Sequence, residues 1–319
     1  MEVTVIGTGR WGSFIAWYIN RIGHDVKIYG EKNAPDFIEL RDTLTNGIVT
    51  FPEGTAFLTE LDDALCSDVI IISVPSQNLR TVMAEIAARS PKNKIFVLCM
   101  KGIEISTGKR LSQVAREFVD GSCKVAVWIG PGHPQEFVRG VPNCMVIDSE
   151  DEATKELLVN SFSSYLIRFY YGCDMIGNEI GAAVKNVIGI AAGVLDGMGL
   201  SSLKGALMSR APKEVARLIE ALGGDHESAY GLCHLGDYEA TVFSKYSHNR
   251  MFGEMLVKGE KYEKLAEGYY TALAVHKLSE KHGVDMPICG EVYKLLYEGK
   301  SAKDAVADLF ARSLKKEIY

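Results

Sequence analysis

The chain has 319 residues, 47% of them hydrophobic and 24% charged, with a formal net charge of −6. That composition is ordinary for a globular protein, and the length allows a large core divided between two domains. The negative balance disfavours nucleic acid and anionic membranes as partners, and seven scattered cysteines without a CxxC pair read as free thiols in a reducing compartment.

In chain order, short runs rich in Val and Ile and bounded by Gly, Pro, Asn or Asp predict strands. They fall at 2–7, 25–30, 69–75, 94–100, 124–130, 143–148 and 166–171. Amphipathic patterns between them predict helices over 12–22, 76–90, 107–119 and 150–164, the last opened by the acidic stretch DSEDE. Such alternation predicts an α/β fold: a doubly wound, Rossmann-type, mainly parallel sheet with helices on both faces. Beyond about residue 174 strand-like runs vanish and an all-α region is expected, beginning near Asn178. The expected division is a dinucleotide-binding domain over 1–176 and a helical substrate and catalytic domain over 177–319, packed together across a cleft. No run of 18 apolar residues occurs, so neither a membrane span nor stable membrane association is expected. The chain opens directly on its first strand with no signal-type lead, and a cytoplasmic location is expected.

The stretch VTVIGTGRWGS is a strand followed at once by Gly7-x-Gly9-x-x-Gly12 and a helical pattern. Gly7 allows a tight turn, Gly9 lets backbone approach a pyrophosphate, and Gly12 lets helix pack on strand. The helix N-terminus then offers unpaired N–H groups to phosphate. Arg10 and Trp11 lie inside this loop and count with it as cofactor-binding. Glu31, just past the second strand, is positioned for the ribose hydroxyls of NAD, whereas Lys32 would suit the extra phosphate of NADP; the balance leans slightly to NAD. Pro75, between Ser73 and Ser76 at a strand's C-terminal end, is placed to touch cofactor, though a plain strand-to-helix turn explains it equally well.

Polar residues in unexpected places mark the chemistry. Lys101 follows a strand immediately, and His133 follows the turn Gly130-Pro131-Gly132. Lys185 sits in NEIGAAVKNVIGIAAG, where no carboxylate stands three or four residues away to pair with it. A hydride transfer to a ketone needs a proton donor and positive charge beside the developing alkoxide. A lysine desolvated among apolar neighbours and held by an acid such as Asp237 meets that need, with Gly181 and Gly189 expected to make room for ligand. A snorkelling lysine, or one paired to the other domain, explains the same residue equally well. The seven histidines show neither HExxH nor another metal spacing, so no metal is expected, and no GxSxG elbow occurs.

Together these segments resemble the NAD(P)-dependent glycerol-3-phosphate dehydrogenases along nearly the whole chain. The matching pieces include GTGRWG, SVPSQNLR, KGIE, AVKNVIGIAAGVLDGMG, LGDYEAT, SHNRMFG, AEGYYTA and DMPI, in the family's order. The resemblance implies reversible reduction of dihydroxyacetone phosphate to sn-glycerol 3-phosphate. It implies Lys185 as acid/base, with Lys101 and Asp237 also at the catalytic centre. Gly130, Thr241, Ser247, His248 and Asn249 then fall at the substrate, and Asn249, Glu267 and Lys101 at the cofactor. One departure stands out: His248 occupies the position of an arginine that grips phosphate in the family. A neutral imidazole does not replace a guanidinium fork. Ser202 stands where asparagine is usual, and Gly132-His133-Pro134 replaces Ser-Phe-Ala. A weaker grip, a grip rearranged through Lys204, Arg210 or Arg250, and a different substrate, another small ketone or phosphorylated polyol, are all open. A non-catalytic dinucleotide sensor is a further reading, opposed by the retained Lys101, Lys185, Asp237 and Thr241. A homodimer is common in such folds, and no interface is readable from the chain.

Overall fold

The computed structural model describes residues 1–314, 316 and 317. Eight strands form one sheet: β1 (Glu2–Ile6), β2 (Asp25–Tyr29), β3 (Ala56–Leu58), β4 (Val69–Ile72), β5 (Ile95–Leu98), β6 (Lys124–Ile129), β7 (Asn143–Ser149) and β8 (Ile167–Tyr171). Their order is β3-β2-β1-β4-β5-β6-β7-β8, and every pairing is parallel except β6 with β7. The doubly wound order reverses between β1 and β4, which is where such sheets open a ligand crevice at the strands' C-terminal ends. All seven expected strands are present. The additional strand, β3, has three residues at the sheet edge, too few to show a periodic signal.

β4 explains why the pattern was so strong. Its sequence Val-Ile-Ile-Ile is buried on both faces, with Val69 and Ile71 in one core and Ile70 and Ile72 in the other. The first core packs Phe14, Tyr18 and Trp128 on one face; the second packs Met83, Phe96 and Leu98 on the opposite face. The first expected helix, 12–22, is present as Arg10–Arg21, and the other three are shorter than the sequence suggests. The 107–119 pattern yields only Leu111–Arg116, and 76–90 is split into a 3₁₀ turn, Ser76–Asn78, and the helix Leu79–Ala87. The 150–164 pattern yields Glu152–Phe162, capped by the Asp151 carboxylate accepting from the Thr154 N–H at 2.9 Å. Helix Pro35–Thr43 was not foreseen, because only Phe37 and Leu40 of it are buried and its apolar face is narrow.

The helical half begins at Met175, three residues before Asn178, with a 23-residue helix to Gly197 that forms its axis. This helix is long and apolar enough to cross a bilayer, yet 83% of its apolar window is buried inside the protein. It is the core helix around which the rest of the half packs. Its glycines serve protein packing. A Cβ on Gly193 would lie 1.9 Å from the Arg250 carbonyl oxygen, and one on Gly253 would lie 2.2 Å from that of Ile190. The central helix and helix His248–Lys258 therefore cross almost backbone to backbone. Gly181 and Gly189, expected to make room for ligand, instead admit His234 on one side and Thr241 with Asn249 on the other.

Candidate active site

A cavity of about 650 Å³ lies between the sheet's C-terminal edge and the helical half. That is within the usual range for cofactor and small-molecule clefts. The glycine loop forms one wall. Gly7 adopts φ +110°, and a Cβ there would meet the Ser73 carbonyl oxygen at 2.2 Å. A Cβ on Gly12 would lie 2.0 Å from the Gly7 carbonyl oxygen. Gly9 differs: nothing lies within 4 Å of where its Cβ would be, so the open side of this glycine is turned to the cleft. The helix Arg10–Arg21 starts directly beyond it and has no side-chain cap, so its first N–H groups are left for a phosphate. The residues present thus fit a dinucleotide.

Asp237 answers the puzzle of Lys185. It lies in the 3₁₀ turn Leu235–Asp237, fully buried, and its Oδ2 is 2.5 Å from the Lys185 ammonium and 2.8 Å from that of Lys101. Lys185, 6% exposed, also donates to Thr241 Oγ1 at 2.9 Å. Lys101 donates to the Gly130 carbonyl at 2.6 Å and lies 5.7 Å over the Trp11 ring. Burial pulls the Lys185 pKa down to about 8, against the attraction of Asp237 and with the repulsion of Lys101. That is the range in which an amine exchanges protons near neutral pH. The second Asp237 oxygen, Oδ1, is buried without a partner among the described residues. Both ammoniums crowd one oxygen and leave the other as an acceptor. Thr241 belongs to a single π-helical turn, Glu239–Phe243. Such turns are rare and frequently lie at functional sites. His133 reaches across from the sheet half to this turn, its Nε2 donating to the Ala240 carbonyl at 2.8 Å. Burial holds the His133 pKa down at about 4, so the ring is neutral.

Asn186 and Asn249 tie the helices together. Asn249 donates to the Asn186 side-chain oxygen at 3.1 Å and accepts from the Gly268 N–H at 2.9 Å. Glu267 spans the cleft: its two oxygens accept from the Ser76 N–H at 2.9 Å and the Ser76 hydroxyl at 2.6 Å. Ser247 caps helix His248–Lys258 by accepting from the Arg250 N–H at 3.3 Å. His248 Nδ1 is 2.7 Å from the Tyr262 hydroxyl, and burial together with the charge of Arg10 lowers its pKa to about 4. It is a neutral ring.

Gly7, Gly9, Arg10, Trp11, Pro75, Lys101, Lys185, Asp237, Thr241, Ser247, His248, Asn249 and Glu267 thus line one cavity. Gly12 and Gly130 support it from behind, whereas Glu31 is exposed beyond the end of β2 and outside the lining. Asp36 lines the rim instead, brought there by the unforeseen helix Pro35–Thr43. Tyr246 and Leu265 also line the cavity and carried no sequence signal. The three cations considered as substitutes for the missing arginine are elsewhere. Arg250 pairs with Asp196 at 2.8 Å and Glu254 at 2.9 Å, Lys204 pairs with Asp196 at 2.6 Å, and Arg210 is on the outer surface.

The comparisons with known proteins agree along the chain. Models of the NAD-dependent glycerol-3-phosphate dehydrogenase N-terminus and C-terminus match residues 2–155 and 174–307. A glycerol-3-phosphate dehydrogenase [NAD(P)+] of Pelodictyon phaeoclathratiforme is 36% identical, covering 99% of both chains, and one of Prosthecochloris aestuarii is 37% identical over 100% of both. The crystal structure of glycerol-3-phosphate dehydrogenase from Coxiella burnetii superposes with a TM-score of 0.90 at 28% identity, covering 98% of this chain and 99% of that one. The Saccharomyces cerevisiae glycerol-3-phosphate dehydrogenase, at 20% identity and a TM-score of 0.78 over 96% and 98% of the two chains, shares the fold. With both halves matched in order, this chain belongs to the NAD-dependent glycerol-3-phosphate dehydrogenase family.

Proposed function

We propose that the protein interconverts dihydroxyacetone phosphate and sn-glycerol 3-phosphate with NAD or NADP, as a two-domain enzyme whose cofactor half is 1–176 and whose substrate half is 177–319. The observation that carries this reading is the buried Asp237 carboxylate holding two ammoniums at the end of the cleft onto which the glycine loop opens. A nicotinamide cofactor, when bound, supplies or accepts the hydride. Gly7, Gly9 and the N-terminus of helix Arg10–Arg21 hold its pyrophosphate, with Trp11, Pro75 and Asn249 along its course. Lys185 gives its proton to the carbonyl oxygen during reduction and takes it back from the hydroxyl during oxidation. Lys101 supports the charge developing on that oxygen, and Asp237 keeps both ammoniums in register. Its free Oδ1 accepts from a substrate hydroxyl. Thr241 limits the swing of the Lys185 side chain, so the proton is delivered from one direction.

The cofactor lean remains toward NAD. Asp36 lines the rim, where its carboxylate would repel a 2′-phosphate, whereas Lys32 lies outside the lining. The substrate is a small phosphorylated molecule, the location proposed is cytoplasmic, and sizing in solution would test a homodimer. The assay that tests the function follows NADH and NADPH absorbance with dihydroxyacetone phosphate across concentrations. Saturable oxidation is the expected result. If the protein binds a dinucleotide but oxidises neither with this substrate, the activity is wrong and His248 favours the second reading, another small ketone.

A further inference from the structure

The cavity wall formed by helix His248–Lys258 lacks the guanidinium that the family resemblance leads one to expect, and no neighbour on that helix replaces it. Arg250 is two residues along but turns from the cleft to Asp196, Glu254 and the Ser244 carbonyl. The opposite wall supplies a different candidate. Arg10, in the glycine loop, lines the same cavity as Ser247, His248 and Asn249. Among the described residues it makes no ion pair and no hydrogen bond, whereas Lys101, Lys185, Lys204 and Arg250 all face a carboxylate. Its charge also reaches His248 and Tyr262: burial and then Arg10 lower the His248 pKa, while burial raises that of Tyr262 against the opposing pull of Arg10. Burial in the cleft lowers its own, as expected for a cation awaiting an anion.

Resting on the reading proposed above, we propose that Arg10 is a specificity-determining residue that grips the substrate's phosphate from the glycine-loop side. His248 serves as the neutral partner on the facing wall. The chemistry is charge-assisted: the guanidinium fork donates two parallel bonds to a phosphate. The N-terminal N–H groups of helix His248–Lys258, whose first turn binds only through Ser247 to Arg250 and Met251, add donors from the other side. His248 contributes shape and one ring nitrogen, its Nδ1 being held by Tyr262. A second arginine at that place would face Arg10 across the gap, so the histidine and the Arg10 guanidinium belong together.

The test is a compensation cycle. Arg10→Ala is expected to raise the KM for dihydroxyacetone phosphate roughly ten- to a hundredfold, the loss of a charge-assisted pair, while the KM for NADH stays within about threefold. His248→Arg in the Arg10→Ala background is expected to restore most of the lost affinity. Arg10→Ala that instead weakens NADH and spares the ketone would assign Arg10 to the cofactor pyrophosphate and overturn the proposal. So would a double variant with no recovery. Calorimetric titration of inorganic phosphate into the NADH-loaded protein reads the site without turnover. Phosphate binding lost with Arg10→Ala supports the grip even if wild-type protein fails to reduce dihydroxyacetone phosphate, an outcome that would sink the activity alone. Phosphate bound equally by both proteins overturns the grip.

Discussion

Asp237→Asn tests the proton chemistry most directly. The carboxylate is the sole anion facing Lys185 among the described residues, and the substitution keeps its shape while removing its charge. Two influences that lower the lysine's proton affinity, burial and the Lys101 ammonium, would then act unopposed. An opposite charge within a few ångströms typically moves a pKa by about 1–3 units. Taking about two, Lys185 falls from about 8 toward ~6 in the variant. Reduction needs the protonated amine, so in the wild type it is fastest below about pH 8 and declines as pH rises through that value; glycerol 3-phosphate oxidation does the reverse. In the variant the protonated fraction at pH 7 drops from about nine-tenths to about one-tenth, and the falling limb moves to about pH 6. The assay is kcat/KM for dihydroxyacetone phosphate reduction from pH 5 to 10, with the reverse reaction in parallel. A limb that stays in place, or moves to higher pH, would falsify the assignment of Asp237 as the group holding the proton on Lys185.

Three other changes probe separate parts of the site. Lys185→Ala should lower turnover about 10²–10⁴-fold, the usual worth of a positioned acid, with dinucleotide affinity changed less than about threefold; near-normal turnover would remove Lys185 from the chemistry. Gly12→Ala places a methyl 2.0 Å from the Gly7 carbonyl oxygen, so fluorescence titration should show dinucleotide affinity weakened at least about tenfold. An unchanged affinity there would mean the loop does not hold the cofactor. Glu267→Gln sets an amide N–H₂ against a Ser76 donor and should cost about 1–3 kcal/mol in urea unfolding; an unmoved midpoint would show that this contact does not join the two halves.

By itself the sequence determined the sheet, the glycine loop and the helical second half, because each rests on local rules. β1 runs straight into Gly7, Gly9 and Gly12, and the turn these residues make follows from their own sterics. The runs that became β4, β5 and β6 are buried on both faces and so read continuously apolar. Lys185 announced itself too, as a charge with no local partner. What the sequence left open was the partner, since Asp237 is 52 residues away and reaches the lysine only because the chain returns through a 3₁₀ turn onto the central helix. The fate of the glycines was likewise tertiary: Gly181 and Gly189 look the same on paper whether they border a ligand or another backbone. Which cations are already paired was tertiary as well. The chain offered Lys204, Arg210 and Arg250 as replacement cations, and pairing turned each of them elsewhere: Lys204 and Arg250 to Asp196, Arg250 also to Glu254 one turn along its own helix, and Arg210 to Glu317. Arg10, read first as part of the cofactor loop, stood free across the cleft. Charge is written in the chain, but which charges remain unpaired is settled only when distant segments meet.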